Sequence, residues 1–198
     1  MNTKELSKHA KYRTLNPISK KLVANFFSSI EQLYFQINVE TILDVGCGEG
    51  IVLKSLEPQV KKQNCFAIDI DPNEVADAKN NIPFCTVNVG NAYQIPFENN
   101  FADLVICSEV FEHLETPEVA MNEIHRVSSK YAILTIANEP LWSILNMVRL
   151  KHWKDFGNTP GHLNRWSSSK FKDFVEKKFN VIDVKKPIPW SFFLCEKK

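Results

Sequence analysis

The apolar positions change their period along the chain. Leu22, Phe26, Ile30 and Leu33 recur at helical spacing within SKKLVANFFSSIEQLYF, and Val23, Phe27 and Tyr34 widen the stripe, which predicts an amphipathic helix packed on another layer. Beyond it the apolar runs become short and nearly continuous. TILDV (41–45), CFAIDI (65–70), IPFCTVNV (82–89), ADLVICS (102–108), YAILTIA (131–137), FNVIDVKK and WSFFLC each read as a buried strand, the last after the rigid Pro187-Ile188-Pro189 turn. Helices fall between them. One runs from about Gly50 to Lys61. Another is opened by Asp71-Pro72-Asn73-Glu74, which combines an N-cap acid, a proline at the first helical position and a glutamate three residues after the cap, and it continues to about Asn81. Thr116-Pro117-Glu118 starts a helix ending near Ser128, and SSSKFKDFVEKKF forms a capped helix ahead of the last two strands. Alternating β and α segments with near-continuous apolar strands predict an α/β, Rossmann-like doubly wound sheet, mostly parallel, with helices on both faces. Ligands in such sheets bind at the carboxyl ends of the strands, where the strand order reverses.

Residues 138–166 break this rhythm, with Trp142, Trp153 and Trp166 set among prolines, glycines and basic residues, and read as a lid-like insertion over a site. The 198 residues suit one domain, 1–198, in which 1–38 form an N-terminal helical cap. With 24 Lys and Arg against 23 Asp and Glu, the formal charge of +1 gives no global field to attract nucleic acid or an anionic membrane. The start lacks the apolar core of a signal peptide, and no apolar run reaches the roughly 18 residues of a membrane span. Cys47, Cys65, Cys85, Cys107 and Cys195 are scattered without a C-x-x-C pair, so reduced, mostly buried thiols in a cytoplasmic protein are expected, and no metal site.

The chemistry concentrates in TILDVGCGEGIVL, residues 41–53. A dinucleotide fingerprint G-x-G-x-x-G needs its third glycine three positions past the second, whereas Gly46-Cys47-Gly48-Glu49-Gly50 places it two past and puts Ile51 in the expected position. Asp44 and Glu49 would also set carboxylates beside a pyrophosphate, where like charges repel strongly in a partly desolvated crevice. A ligand that needs bare backbone but carries positive charge turns these acids into assets. Glu49 itself is expected to face solvent or cap the following helix.

With LDVGCGEG as a first motif and AIDID (67–71) as a second-strand motif ending in an acid, the chain resembles the class I S-adenosylmethionine-dependent methyltransferases of the methyltransferase type 11 kind. The resemblance implies a seven-stranded sheet with the last strand antiparallel and S-adenosylmethionine as cofactor. It also implies roles. Gly46 and Gly48 let the backbone approach the methionine portion, and Asp44 orients its ammonium. Asp69 accepts the ribose hydroxyls, Ile70 packs on the adenine, and Asn91, where relatives commonly have Asp, meets the adenine amino group with the Ala92 N–H nearby. CSEVFEHLETPEV (107–119) is similar to the family's E-x-x-E-H run, which lines the methyl-donor pocket and brings in Glu109.

His113 of that run is a candidate general base, since an imidazole titrates near neutrality; the alternative is that Glu112 and His113 brace the loop. Val110 and Leu114 read as core, and His162 with Trp166 are further candidates for touching substrate. The resulting reading is methyl transfer to a small or lipophilic acceptor. An RNA or protein methyltransferase and a non-catalytic S-adenosylmethionine-binding regulatory module remain as alternatives. The basic, aromatic stretch 142–154 raises peripheral membrane contact, and Tyr12-Arg13 are placed either over the pocket or in a solvated tail. The acceptor atom and the oligomeric state are open.

Overall fold

The computed structural model describes residues 17–143 and 161–198. Tyr12-Arg13, residues 144–160 of the insertion and therefore most of the 142–154 stretch lie outside them. The described chain forms β1 (Thr41–Val45), β2 (Asn64–Asp69), β3 (Thr86–Val89), β4 (Ala102–Ser108), β5 (Ser128–Ala137), β6 (Phe179–Lys185) and β7 (Trp190–Lys197). These join in one seven-stranded sheet of order β3-β2-β1-β4-β5-β7-β6. Strands β3 to β5 pair in parallel through β1, and β7 runs antiparallel to both β5 and β6. The chain leaves β1 toward β2 and β3, then returns to place β4 on the other side of β1. The order therefore reverses between β1 and β4, and the carboxyl ends of these two strands open a crevice.

The strands are apolar on both sides, yet the two sides separate cleanly because successive side chains point to opposite faces. Ile42, Leu104, Ile133 and Leu194 enter one core with α1 (Pro17–Tyr34), α2 (Ile51–Ser55), α3 (Glu57–Val60) and α4 (Pro72–Asn81). Their neighbours Leu43, Val105, Leu134 and Phe193 enter the other with α5 (Pro117–Val127) and α6 (Ser168–Val175). In α1, Phe26 lies 4.9 Å from Phe192 and 5.1 Å from Trp190, ring centre to ring centre, so the helix lies on β7.

The helix expected over 50–61 is two helices. Pro58 cannot donate to the carbonyl of residue 54, and its ring crowds that carbonyl, so the chain breaks at Leu56 and restarts. The third strand begins only at Thr86, because Pro83 and Phe84 belong to the turn that closes α4 through a hydrogen bond from the Cys85 amide to the Ile82 carbonyl. The Asp71 and Ser167 caps form as their sequences predict, accepting from the Asn73 and Lys170 amides. Cys47, Cys65, Cys107 and Cys195 are buried thiols and Cys85 is half-buried. Among the described residues no helix is long and apolar enough to cross a membrane.

Candidate active site

The glycine turn after β1 is held by β2. The Gly46 and Cys47 amides donate to the Ile68 carbonyl at 2.8 and 3.0 Å, and the Gly48 amide donates to Asp69 Oδ2 at 2.7 Å. Gly46 has φ +74°, and a Cβ there would stand 2.4 Å from Val110 Cγ2, so only glycine lets the turn after β4 close onto the turn after β1. These turns frame a cleft of about 610 Å³ at the reversal point.

Asp44, Gly46, Gly48, Asp69, Ile70, Asn91, Ala92, Glu109 and His113 all line this cleft, although they come from four separate parts of the chain. Asp44, near the end of β1, is 1 % exposed, and neither carboxylate oxygen has a hydrogen-bond partner. Burial, and secondarily the charge of Asp69, raises its pKa to about 8. Asp69 is fixed differently, with Oδ2 on the Gly48 amide and Oδ1 on the Asp71 amide at 3.0 Å. Each oxygen accepts one N–H and keeps acceptor capacity for a further donor. Ile70 stands 68 % exposed beside it, an apolar face with no protein to cover it. Asn91 Oδ1 accepts from the Tyr93 amide at 2.9 Å, which sets the orientation of its amide group.

Glu49 departs from expectation. It is 3 % exposed and lines the cleft, so it does not face solvent, and the N-cap of α2 is the left-handed Gly50. Val110 and Leu114 likewise belong to the cleft wall and pack only partly on the core. Glu74, Tyr93, Ser108 and Leu163 also line the wall, with no role that the sequence assigns them individually. The Tyr93 hydroxyl accepts from the Glu115 amide at 2.8 Å and the Thr116 amide at 3.3 Å, which ties the wall to the segment just ahead of α5.

On the far wall, the 3₁₀ turn Phe111–His113 is braced from both sides. Glu112 is 1 % exposed and its carboxylate accepts from the Ala137 amide, while its carbonyl accepts from the Leu163 and Asn164 amides at 2.7 and 3.0 Å. His113 Nδ1 lies 3.0 Å from the Gly161 carbonyl oxygen. A carbonyl only accepts, so Nδ1 carries the proton and Nε2 of the neutral ring is left as the acceptor. His162 stands edge-on to His113 with ring centres 4.9 Å apart and stacks on Trp142 at 6.3 Å, one ring behind the wall. Trp166 is half-buried and packs against the core, on Phe171 and Phe174 at 5.3 and 5.1 Å, with its indole N–H toward the Phe111 carbonyl, and it does not line the cleft.

Acids supply the charge of the lining, with Asp44, Glu49, Asp69, Glu74, Glu109 and Glu115, and neither lysine nor arginine contributes among the described residues. Such a wall repels a diphosphate and suits a nucleoside carrying cationic groups: a buried acid lacking partners, a carboxylate with acceptor capacity for a diol and an apolar ledge for a flat ring are all present. Among the described residues no cluster of His, Cys, Asp or Glu is placed to hold a metal.

A family profile described as a methyltransferase domain matches residues 43–136. Over 142 residues the chain is 25% identical to a chloroplastic 2-methyl-6-phytyl-1,4-hydroquinone methyltransferase of Arabidopsis thaliana, covering 69% of this chain and 41% of that protein. It is 32% identical over 130 residues to the ubiquinone biosynthesis O-methyltransferase of Rickettsia bellii, covering 63% of this chain and 52% of that one. These matches take in only about half or less of each relative's length. Among solved structures, a magnesium protoporphyrin IX methyltransferase of Synechocystis with bound S-adenosylhomocysteine superposes at a TM-score of 0.69, covering 93% of this chain and 89% of that one at 14% identity, a likeness of fold.

Proposed function

We propose that the chain, which matches a methyltransferase-domain profile over residues 43–136, is a class I S-adenosylmethionine-dependent methyltransferase that transfers a methyl group to a small or lipophilic acceptor entering beside His113. One observation carries the cofactor assignment: Asp44 is buried at the glycine turn with no hydrogen-bond partner for either oxygen, in the same cleft as Asp69. Buried without a partner, this acid holds a proton until a cation joins it and lets it ionise. S-adenosylmethionine, when bound, supplies a positively charged and already activated methyl donor.

The chain's own residues do the rest. Asp44 faces the ammonium of the methionine end, and the carboxylate of Asp69, preset by two amide donors, receives the ribose hydroxyls. Ile70 supplies the apolar ledge for the adenine, with Asn91 and Ala92 at its edge. His113, with Nδ1–H committed to the Gly161 carbonyl, presents Nε2 to take a proton from a protic acceptor, and His162 supports its ring. A pre-ionised acceptor needs only positioning and exclusion of water. Leu163 is 60 % exposed at the cleft and Leu114 lines it beside His113, so this rim favours an apolar acceptor. The hydroquinone and ubiquinone-pathway relatives agree with that preference.

Calorimetric titration with S-adenosylmethionine, S-adenosylhomocysteine and NAD tests the cofactor, and labelled methyl transfer to a panel of phenols, quinols and amines, with RNA beside them, tests the acceptor. Binding of the first two ligands and transfer to a lipophilic phenol or quinol are expected. Retention of NAD without S-adenosylmethionine would overturn the reading, and tight binding with no transfer to any acceptor would leave a binding module.

A further inference from the structure

Arg126, in the last turn of α5, commits every N–H of its guanidinium. Nε and Nη2 grip the two oxygens of Glu123, one helical turn earlier, at 2.6 and 2.8 Å. The other bonds leave the helix: Nη2 donates to the Ile95 carbonyl at 2.9 Å, and Nη1 to the Phe97 carbonyl at 2.8 Å and to Asn99 Oδ1 at 3.2 Å. A guanidinium has no further N–H to give. Glu123 adds a contact of its own, its Oε2 accepting the Ile95 amide at 2.8 Å, and the Arg126 carbonyl accepts the Asn100 amide at 2.8 Å. An exposed ion pair three residues apart on a helix contributes little by itself. This pair does something else, supplying partners to residues 95–100, which belong to no helix or strand and in which Pro96 lacks an N–H. The Arg126 hydrogen bonds hold the Glu123 carboxyl below its usual range, so the grip stays charged through neutral pH.

The segment matters because of what it continues. Immediately ahead of it the chain makes the tight turn 90–94, which lines the cleft with Gly90, Asn91, Ala92 and Tyr93. Within the turn the Gln94 amide donates to the Asn91 carbonyl at 3.0 Å and the Tyr93 amide to Asn91 Oδ1 at 2.9 Å. Its entry is fastened to β2, where the Gly90 amide donates to the Asp69 carbonyl at 2.9 Å. Its exit is fastened at Ile95, whose amide goes to Glu123, whose carbonyl goes to Arg126 and whose side chain is buried in the core. The Tyr93 hydroxyl adds a third hold on the Glu115 and Thr116 amides just ahead of α5. Glu123 and Arg126 do not themselves line the cleft. They reach it through this turn.

We propose that Glu123 and Arg126 are positioning residues that hold the 90–94 turn as a preformed wall of the cleft, so that a ligand meets a wall already in place. This rests on the reading of the cleft as the S-adenosylmethionine site. Its consequence is one of populations: a site whose wall is in place for only a fraction of the time binds more weakly by that fraction.

The test joins calorimetric affinity for S-adenosylhomocysteine to amide hydrogen exchange in the native protein, Arg126→Gln and Arg126→Lys, at a temperature where each is folded. Arg126→Gln is expected to weaken binding about tenfold, the result of a wall in place about one-tenth of the time. It should also speed exchange at Tyr93, Gln94 and Ile95 while the amides of β1 and β4 keep their native protection. Arg126→Lys keeps a positive charge beside Glu123, but a compact ammonium does not reproduce a planar fork that reaches two carbonyls and a carboxylate, so a similar weakening is expected. Saturating ligand should return exchange at the turn toward the native rate in both variants. A merely structural role would lower the melting temperature, leave the affinity of the folded protein unchanged and speed exchange throughout the sheet, and that result would overturn the proposal. So would full affinity in Arg126→Lys, since charge alone would then suffice. Should Arg126→Gln fail to fold, Arg126→Lys decides. A native protein that binds neither S-adenosylhomocysteine nor S-adenosylmethionine overturns the methyl-transfer reading as well; native binding that neither variant weakens overturns this proposal alone.

Discussion

Burial of Asp44, with Asp69 nearby, makes its folded carboxyl keep a proton up to about pH 8, against about 3.9 in an unfolded chain. The other titratable groups around it do not reverse this: the Cys47 and Cys107 thiols are pushed upward by burial first and by Asp44 second. Between the two values the folded state binds the extra proton, so raising the pH removes stability, at about 1.4 kcal/mol per unit, until the folded group ionises near the top of the window. Asp44→Asn removes this dependence. The variant is expected to match the native protein near pH 4 and to exceed it increasingly toward pH 8 in denaturant titrations, while losing affinity for a cationic cofactor. Parallel stability curves for the two proteins across this range would show that Asp44 is not the group responsible. Asp44, Gly46, Gly48 and Asp69 were legible in the sequence because each belongs to a short motif tied to one strand end. Arg126 was not: it meets the Ile95 and Phe97 carbonyls only through the packing of α5 beside that segment, and an arginine closing a helix looks like any solvated charge. Glu49 was misread because a charged residue in a turn suggests solvent, whereas this turn folds inward onto the cleft.

At the scale of elements, the amino ends of the strands, opposite the cleft, are tied by one side chain. Asp103 on β4 accepts from the Glu40 and Thr41 amides at 3.0 and 3.3 Å where β1 begins, and from Ser129 Oγ at 3.1 Å where β5 begins, and it pairs with Lys130 at 3.1 Å. Burial alone would raise its pKa, but the hydrogen bonds from Glu40, Lys130, Thr41 and Ser129 outweigh it and the net direction is downward. A lowered folded value means stability that is present above the unfolded pKa of about 3.9 and lost as the pH falls through the folded one. Asp103→Ala is therefore expected to cost about 2 kcal/mol at neutral pH, with the gap from the native protein closing below about pH 4. An equal gap at pH 3 and pH 7 in urea unfolding would refute this. Strands β1 and β4 were read to the residue because their apolar runs end at a glycine turn or a polar boundary. Helix α2 is shorter than its apolar spacing suggests, since that spacing continues past Pro58 and the missing donor shows only in the backbone hydrogen bonds. Strand β5 begins ahead of its apolar run, because Ser128 leaves α5 with no linker at all.

Over the whole molecule, a near-neutral chain of net charge +1 gathers carboxylates on one crevice, and among the described residues no lysine or arginine lines it. The arrangement has a thermodynamic consequence that does not depend on knowing the acceptor. The crevice sits between β1, β2 and β4, at the meeting of the two cores, so a ligand that fits it binds the folded sheet and not the unfolded chain. Ligand at 100 times its dissociation constant then stabilises the fold by about 2.7 kcal/mol, which for a chain of this length raises the melting temperature by roughly 5–10 °C. S-adenosylhomocysteine is expected to produce that shift, and NAD at the same concentration to produce none, because its diphosphate would have to lie among the acids around Asp44 and Asp69. The contrast should survive moderate salt, since charges taken out of water are screened far less than surface charges. A shift with NAD that matches or exceeds the shift with S-adenosylhomocysteine would mean that the acids face away from the ligand, and the charge argument for this cleft would fail with it.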